Sequence, residues 1–334
     1  MTCAALSEAR ISRGTLLSGA LALAVATDAQ AARPRVGCVS WCFRGLEAGA
    51  DPAEAIRTMG ELGCETTSLI LNAREDIGSF WTDARIAQIR TLLESSPVTV
   101  CQFVLSARCG GAHEHGPGRA PSEPGVLRGG VPDRPAPGRA HRGHRGALAW
   151  IAEPARRGLP AAALGPAKPR PGAKFRMETA LGFDWERVWT LWVETVRECL
   201  KRAGRRGLRL SMEHHAHTMV PDSASFLRLW DAVREQGLGC SLDTGWIPAQ
   251  SEYAPVATHK IGRRLMRVDA RDIDGPMRAF VHVGEGVMDF EGVARALKAV
   301  GFRGGITLEQ DKIPGDMRAS VKRFVAMMKG CLHA

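Results

Sequence analysis

The sequence predicts an α/β fold of the (β/α)8 barrel type, and three observations carry the prediction. Apolar strand-like runs alternate with amphipathic helical stretches along most of the chain. A length of 334 residues suits one such barrel better than one ordinary domain. Four strands in succession in the second half end on an acidic side chain, at Glu213, Asp243, Asp269 and Glu309. The alternation is interrupted in the middle, where one βα unit is missing from the expected order.

The elements follow in sequence. "RVGCVSW" (35–41) reads as a strand, and "DPAEAIRTMGELG" (51–63) as a helix with an acidic start and a glycine stop. "CETTSLIL" (64–71) is a second strand, "DARIAQIRTLLESS" (83–96) a helix and "VTVCQFVLS" (98–106) a third strand. After the interruption, "DWERVWTLWVETVRECLKRAGRRG" (184–207) places Trp185, Val188, Trp192, Val196 and Cys199 three or four apart, as one face of a long helix requires. The strand "LRLSMEH", the helix 222–237 and the strand "LGCSLDTGW" (238–246) come next. A helical segment near 254–264 leads to the strand "LMRVDARD" (265–272), then to the helix 289–301, the strand "GGITLEQD" (304–311) and a closing helix from about Met317.

Two segments stand outside this pattern. Residues 1–31 combine Arg10 and Arg13, the uncharged stretch "GTLLSGALALAVAT" and an A-x-A pattern at Ala29 to Ala31, which predicts a cleaved export signal and a periplasmic or secreted protein. "SRGTLL" is one arginine short of a twin-arginine motif, because Gly14 stands at the second position. Residues 107–176 are dominated by Arg, Gly, Pro, Ala and His, a composition that cannot support a packed element. This segment holds 13 Lys+Arg against 4 Asp+Glu, nearly all of the chain's net charge of +10, so the basic balance says little about a nucleic-acid partner. A disordered insertion, a basic tail moved inward and a translated wrong reading frame compete for it; the missing βα unit favours the wrong frame. The barrel domain is then 32–106 together with 177–334. The nine cysteines have no C-x-x-C pair, and Cys38, Cys64, Cys101 and Cys240 read as small buried hydrophobes.

In a parallel barrel all strands point their C-terminal ends at one mouth, so Glu213, Asp243, Asp269 and Glu309 are expected to converge there. Four carboxylates in one cavity repel each other unless a cation intervenes. Oxygen-rich ligation favours Mg²⁺ or Mn²⁺, with Co²⁺ or Zn²⁺ as lesser fits.

The stretches "DPAEAIRTMGELGCETTSLIL", "LRLSMEHHAH", "CSLDTGW", "RVDARDIDG" and "VGEGVMDFEGVARALKAVGFRGGITLEQD" resemble the sugar phosphate isomerase/epimerase family of xylose-isomerase-like TIM barrels, over roughly 35–106 and 177–330. The resemblance implies one divalent metal held by Glu213, Asp243, the Asp269 position and Glu309, with Glu213 and Glu309 also moving the proton during catalysis. It further implies substrate contacts from His215, Trp246 and Arg271. Trp41, at the end of the first strand, is placed to line the mouth and contact substrate, with core packing as its competing and stronger role. Two departures accompany it: Asp269 stands where the family has a histidine ligand, and Trp246 where it commonly has a substrate-contacting histidine. His214 is expected to point away from the mouth, and His217 to belong to the loop. An ion pair with Asp272 is the competing role for Arg271.

The implied activity is isomerisation or epimerisation of a sugar or sugar phosphate through a metal-stabilised enediolate. A lyase or dehydratase on the same site, or a degenerate non-catalytic barrel, are the alternatives. An endonuclease-type barrel needs more histidines than remain. The expected partners are a small carbohydrate and, as barrels of this kind often pair, a second copy of the chain; neither nucleic acid nor membrane is expected for the mature protein.

Overall fold

A computed structural model describes residues 33–71, 76–105, 184–215, 219–275, 279–310 and 313–333. The segment 1–31 read as an export signal, the basic segment 107–176 and His217 lie outside the described residues. Strand β1 (Arg35–Val39) is followed by α1 (Ala53–Glu61), β2 (Thr66–Leu71), α2 (Asp83–Glu94) and β3 (Thr99–Leu105). The second part contains α3 (Trp185–Gly204), β4 (Leu210–Glu213), α4 (Ser223–Val233), β5 (Leu238–Asp243), α5 (Ala254–Ile261) and β6 (Leu265–Ala270). A short ribbon of β7 (Asp272–Ile273) and β8 (Phe280–Val281) precedes α6 (Phe290–Ala299), β9 (Gly305–Leu308) and α7 (Met317–His333).

Seven strands form one curled parallel sheet in the order β3-β2-β1-β9-β6-β5-β4. The first strand pairs with the last, Val36 opposite Ile306 and Cys38 opposite Leu308, which is how a (β/α) sheet bends back towards closure. Between β3 and β4, where the chain runs through 106–183, the described sheet has no eighth strand. The strands are parallel and covered on both sides, so β2 and β5 are buried along their whole length and read as near-continuous apolar runs. β1 comes close enough to β2 that a Cβ on Gly37 would lie 1.7 Å from the Thr66 carbonyl oxygen, a contact that only glycine permits.

The helices start where their caps say they should. Asp184 accepts from the Arg187 amide at the start of α3, and Asp222 and Ser225 form a reciprocal capping box on α4. α3 buries Val188, Trp189, Trp192, Val193, Val196 and Leu200. Trp185, expected on that face, is instead a third exposed; it stacks on Trp189, and the Arg228 guanidinium lies over both rings. At the first position of the helix, its ring meets a cation and a second indole in place of the core. Arg197 on α3 donates to the Ala232 and Val233 carbonyls, satisfying the C-terminal end of α4.

The strand expected at 265–272 breaks at Arg271. Asp272 collects the amides of Ile273, Gly284, Gly286 and Met288 on its carboxylate, and this folds the chain into the β7–β8 ribbon over the sheet's end. The described cysteines, Cys38, Cys64 and Cys240 among them, are free, and Cys101 is only partly buried.

Candidate active site

The mouth is built from strand ends. Glu213 is the last residue of β4 and Asp243 the last of β5, and Glu309 follows β9 directly. All three are buried. Asp243 is fully enclosed: burial pushes its carboxyl up to about 7, and the nearby charges of Glu309 and Glu213 push in the same direction while Arg271 opposes them. Two acids from strands on either side therefore act on one buried carboxyl group, which is the convergence expected of parallel strand ends.

A guanidinium sits among them. Arg271 Nε donates to Asp243 Oδ2 at 2.9 Å, and its Nη2 forms an ion pair with Glu309 Oε1. Trp41 Nε1 donates to that same Glu309 oxygen at 3.2 Å. The Thr244 hydroxyl pins the Arg271 backbone, accepting from its amide at 2.8 Å and donating to its carbonyl at 2.7 Å. Asp272, the sequence neighbour that could have paired with Arg271, is occupied by the backbone amides of the ribbon.

Asp269 differs from the expectation. Its Oδ1 pairs with Arg267 Nη2 and accepts from the Thr307 hydroxyl at 3.0 Å, while its Oδ2 accepts from Ser241 at 3.1 Å. Arg267 also reaches Ser68 on β2 at 2.9 Å, so Arg267 and Asp269 form a buried polar layer that fills the sheet's interior. Both oxygens of the carboxylate are taken up by this layer.

The wall beside the acids is aromatic. Trp246, in the one-turn helix after β5, packs on His215 with ring centroids 4.2 Å apart and on Phe280 at 5.1 Å; the Phe280 ring in turn faces the Arg271 guanidinium at 4.7 Å. Trp246 Nε1 is buried without an acceptor among the described residues. Trp41 belongs to a small apolar cluster with Val39, Ile70 and Val104 and touches the site through its indole nitrogen. His214 turns the other way. Its Nε2 accepts from the Asp243 amide at 3.2 Å, and burial lowers its pKa to about 4.

The residues present do not make a metal centre in this arrangement. No group of three or more His, Cys, Asp or Glu side chains that could hold an ion occurs among the described residues. The reason is local: Asp243 and Glu309 share Arg271, Asp269 is held by Arg267, and His214 serves a backbone amide. Phe280 and Arg267 were the residues missed from sequence. Phe280 gave no signal there, but Arg267 and Asp269 lie two apart on one strand, a spacing that puts both on one face.

Comparison with known proteins agrees with this architecture. The family described as "xylose isomerase-like TIM barrel" matches residues 56–327. Among solved structures, D-psicose 3-epimerase from Clostridium cellulolyticum H10, determined with D-tagatose, superposes with a TM-score of 0.60 at 14% identity, covering 89% of this chain and 99% of that one. The 3-keto-D-glucoside 4-epimerase of E. coli gives 0.57 at 14% identity, covering 90% of this chain and all of the other. A Bacillus anthracis protein described as "the probable 3-DHS dehydratase" of petrobactin synthesis gives 0.54 at 10% identity, covering 89% and 98%. No curated protein matches in sequence. With the family matched over most of its length and the strand-end acids gathered at the mouth of a parallel sheet, the chain belongs to the xylose isomerase-like TIM barrels.

Proposed function

We propose that this protein is a carbohydrate isomerase or epimerase that moves a proton on the carbon next to a carbonyl group. The observation that carries this reading is the pair Glu213 and Glu309. They are buried acids at the ends of β4 and β9, strands with β5 and β6 between them in the sheet, and both raise the pKa of Asp243. One carboxylate takes the proton from carbon and the electron pair moves onto the carbonyl oxygen. The other, present as the protonated carboxylic acid, returns a proton to carbon and becomes a carboxylate as the carbonyl re-forms, on the opposite face for epimerisation or on the adjacent carbon for isomerisation. The Trp246 indole, packed at a tilt against His215, offers an aromatic wall for the apolar face of a sugar, and the unpaired Trp246 Nε1–H offers a donor to a hydroxyl. Solved epimerases acting on psicose and on a keto-glucoside share the fold and support the substrate class.

The test is hydrogen exchange. Ketoses, aldoses and their phosphates are incubated with the protein in D₂O, and replacement of carbon-bound hydrogen is followed by NMR. Exchange is expected with at least one sugar, and Glu213→Gln or Glu309→Gln should slow it by roughly 10²- to 10⁴-fold. Undiminished exchange in both variants would refute the assignment. The dehydratase among the structural neighbours supports a second reading, in which the same intermediate expels a β-hydroxyl group; loss of water with a new enone absorbance identifies it.

A further inference from the structure

The disagreement between the acids at the mouth and the lack of an ion-binding group is resolved by Arg271. Its guanidinium lies between Asp243 of β5 and Glu309 after β9, a position that answers two carboxylates at once. The seat is built for it. Thr244 fixes the backbone on both sides, and Phe280 covers the guanidinium face at 4.7 Å. Gly245 leaves the necessary room: a Cβ there would come within 2.7 Å of both Arg271 Cβ and Phe280 Cε1. The Arg271 side chain is buried, so its charge is not dispersed in solvent. A dication entering this mouth would have to displace a held arginine and would not recover Asp269, which Arg267 keeps.

We propose that Arg271 is the built-in cation of this site, standing in the place of a divalent ion and receiving the oxygen that becomes anionic when the substrate carbon loses its proton. The proposal rests on the reading of the site as a proton-transferring one. The step balances without a further reactant: the proton goes to a carboxylate, the electron pair to the carbonyl oxygen, and the guanidinium N–H groups meet the new charge.

The purified full chain, treated with EDTA and desalted, is titrated with Mn²⁺ while free ion is read by electron paramagnetic resonance and unfolding by a thermal melt. The wild type is expected to bind no stoichiometric Mn²⁺ and to melt at an unchanged temperature. Arg271→Met, which releases Asp243 and Glu309, should bind about one ion at least roughly tenfold more tightly and gain thermal stability from it. Should that variant fail to fold, Arg271→Lys keeps the charge but cannot bridge two carboxylates, and a smaller tightening is expected. One Mn²⁺ per wild-type chain, or equal binding by wild type and variant, would overturn the proposal. The D₂O exchange, run on the same EDTA-treated wild type, separates the two readings. Exchange that continues supports Arg271, and exchange that appears only on adding Mn²⁺ overturns it. No exchange with or without Mn²⁺ overturns the proton-transfer reading instead, while the binding titration still decides whether Arg271 excludes the ion.

Discussion

Acidification should unseat the site through His214 before it protonates the surface carboxylates. The ring is fully buried and accepts the Asp243 amide on Nε2, which puts the proton of the neutral ring on Nδ1. Burial lowers its pKa from 6.5 to about 4; the charges of Glu213, Glu252 and Asp222 act in the opposite direction and are outweighed. The folded pKa is depressed, so the unfolded chain takes up the proton first as the pH falls. The contribution is therefore fully present above 6.5 and is lost between 6.5 and about 4, where a shift of this size corresponds to about 3 kcal/mol. His214→Gln keeps an acceptor near the Nε2 position and cannot titrate. Urea unfolding of wild type and variant at pH 7, 6, 5 and 4 isolates the ring from every other group. The stability gap should move in the variant's favour by about 3 kcal/mol between pH 7 and pH 4. A gap that stays constant within about 0.5 kcal/mol would show that His214 takes up its proton as readily in the folded protein as in the unfolded chain, and that the argument from burial is wrong.

Two further predictions concern the interior and the rim. Arg267→Met leaves Asp269 buried without its cation, so the variant should lose about 3–5 kcal/mol in urea unfolding, and the double variant with Asp269→Asn should regain most of it; equal stability of the single variant and wild type would mean that Asp269 is neutral. For Glu65, burial raises the pKa, but hydrogen bonds from Arg33 and Lys329 prevail and hold it at about 2. This depressed acid stabilises above 4.5 and loses that contribution as the pH falls towards 2, so the melting-temperature advantage of wild type over Glu65→Gln should shrink across that window and be flat above it.

The strand ends were legible from sequence because a parallel strand is an apolar run that stops where its side chains reach solvent or a site. Glu213 and Asp243 close β4 and β5 for that reason. What each acid touches was not legible, because that depends on register between strands. Glu213 pairs with Ser241, so β5 runs two residues past the end of β4, and the Asp243 amide is left for the His214 ring to satisfy. Nothing in the stretch "HHAH" distinguishes the histidine that serves a neighbouring strand. The break after β6 was hidden for a similar reason. "LMRVDARD" reads as one run, and only the four amides gathered by Asp272, some as far as Met288, turn the chain aside and bring Phe280 over Arg271. The two-residue spacing of Arg267 and Asp269 is visible in the sequence, but their pairing depends on Ser68 and Thr307 from other strands, which the spacing does not show.

The pairing of β1 with β9 makes the two ends of the fold into a clasp. Residues 270 apart are adjacent there, and further contacts reinforce the joint: Lys329 of α7 reaches the Gly63 carbonyl and Glu65, while Trp41 and Ser68 reach Glu309 and Arg267. The part that holds β1 to β3 and the part that holds β4 to β9 therefore meet through this clasp. In the described structure, cohesion between the two parts comes from hydrogen bonds, ion pairs and packing at the clasp, whatever the length or composition of the chain that joins β3 to β4. Such a layout is demanding during folding, since the clasp cannot close until the last strand is available. Once closed, it places the indole just after the first strand, on Trp41, against the carboxylate just after the last, on Glu309, so the candidate site is assembled only when both ends of the described sheet have met.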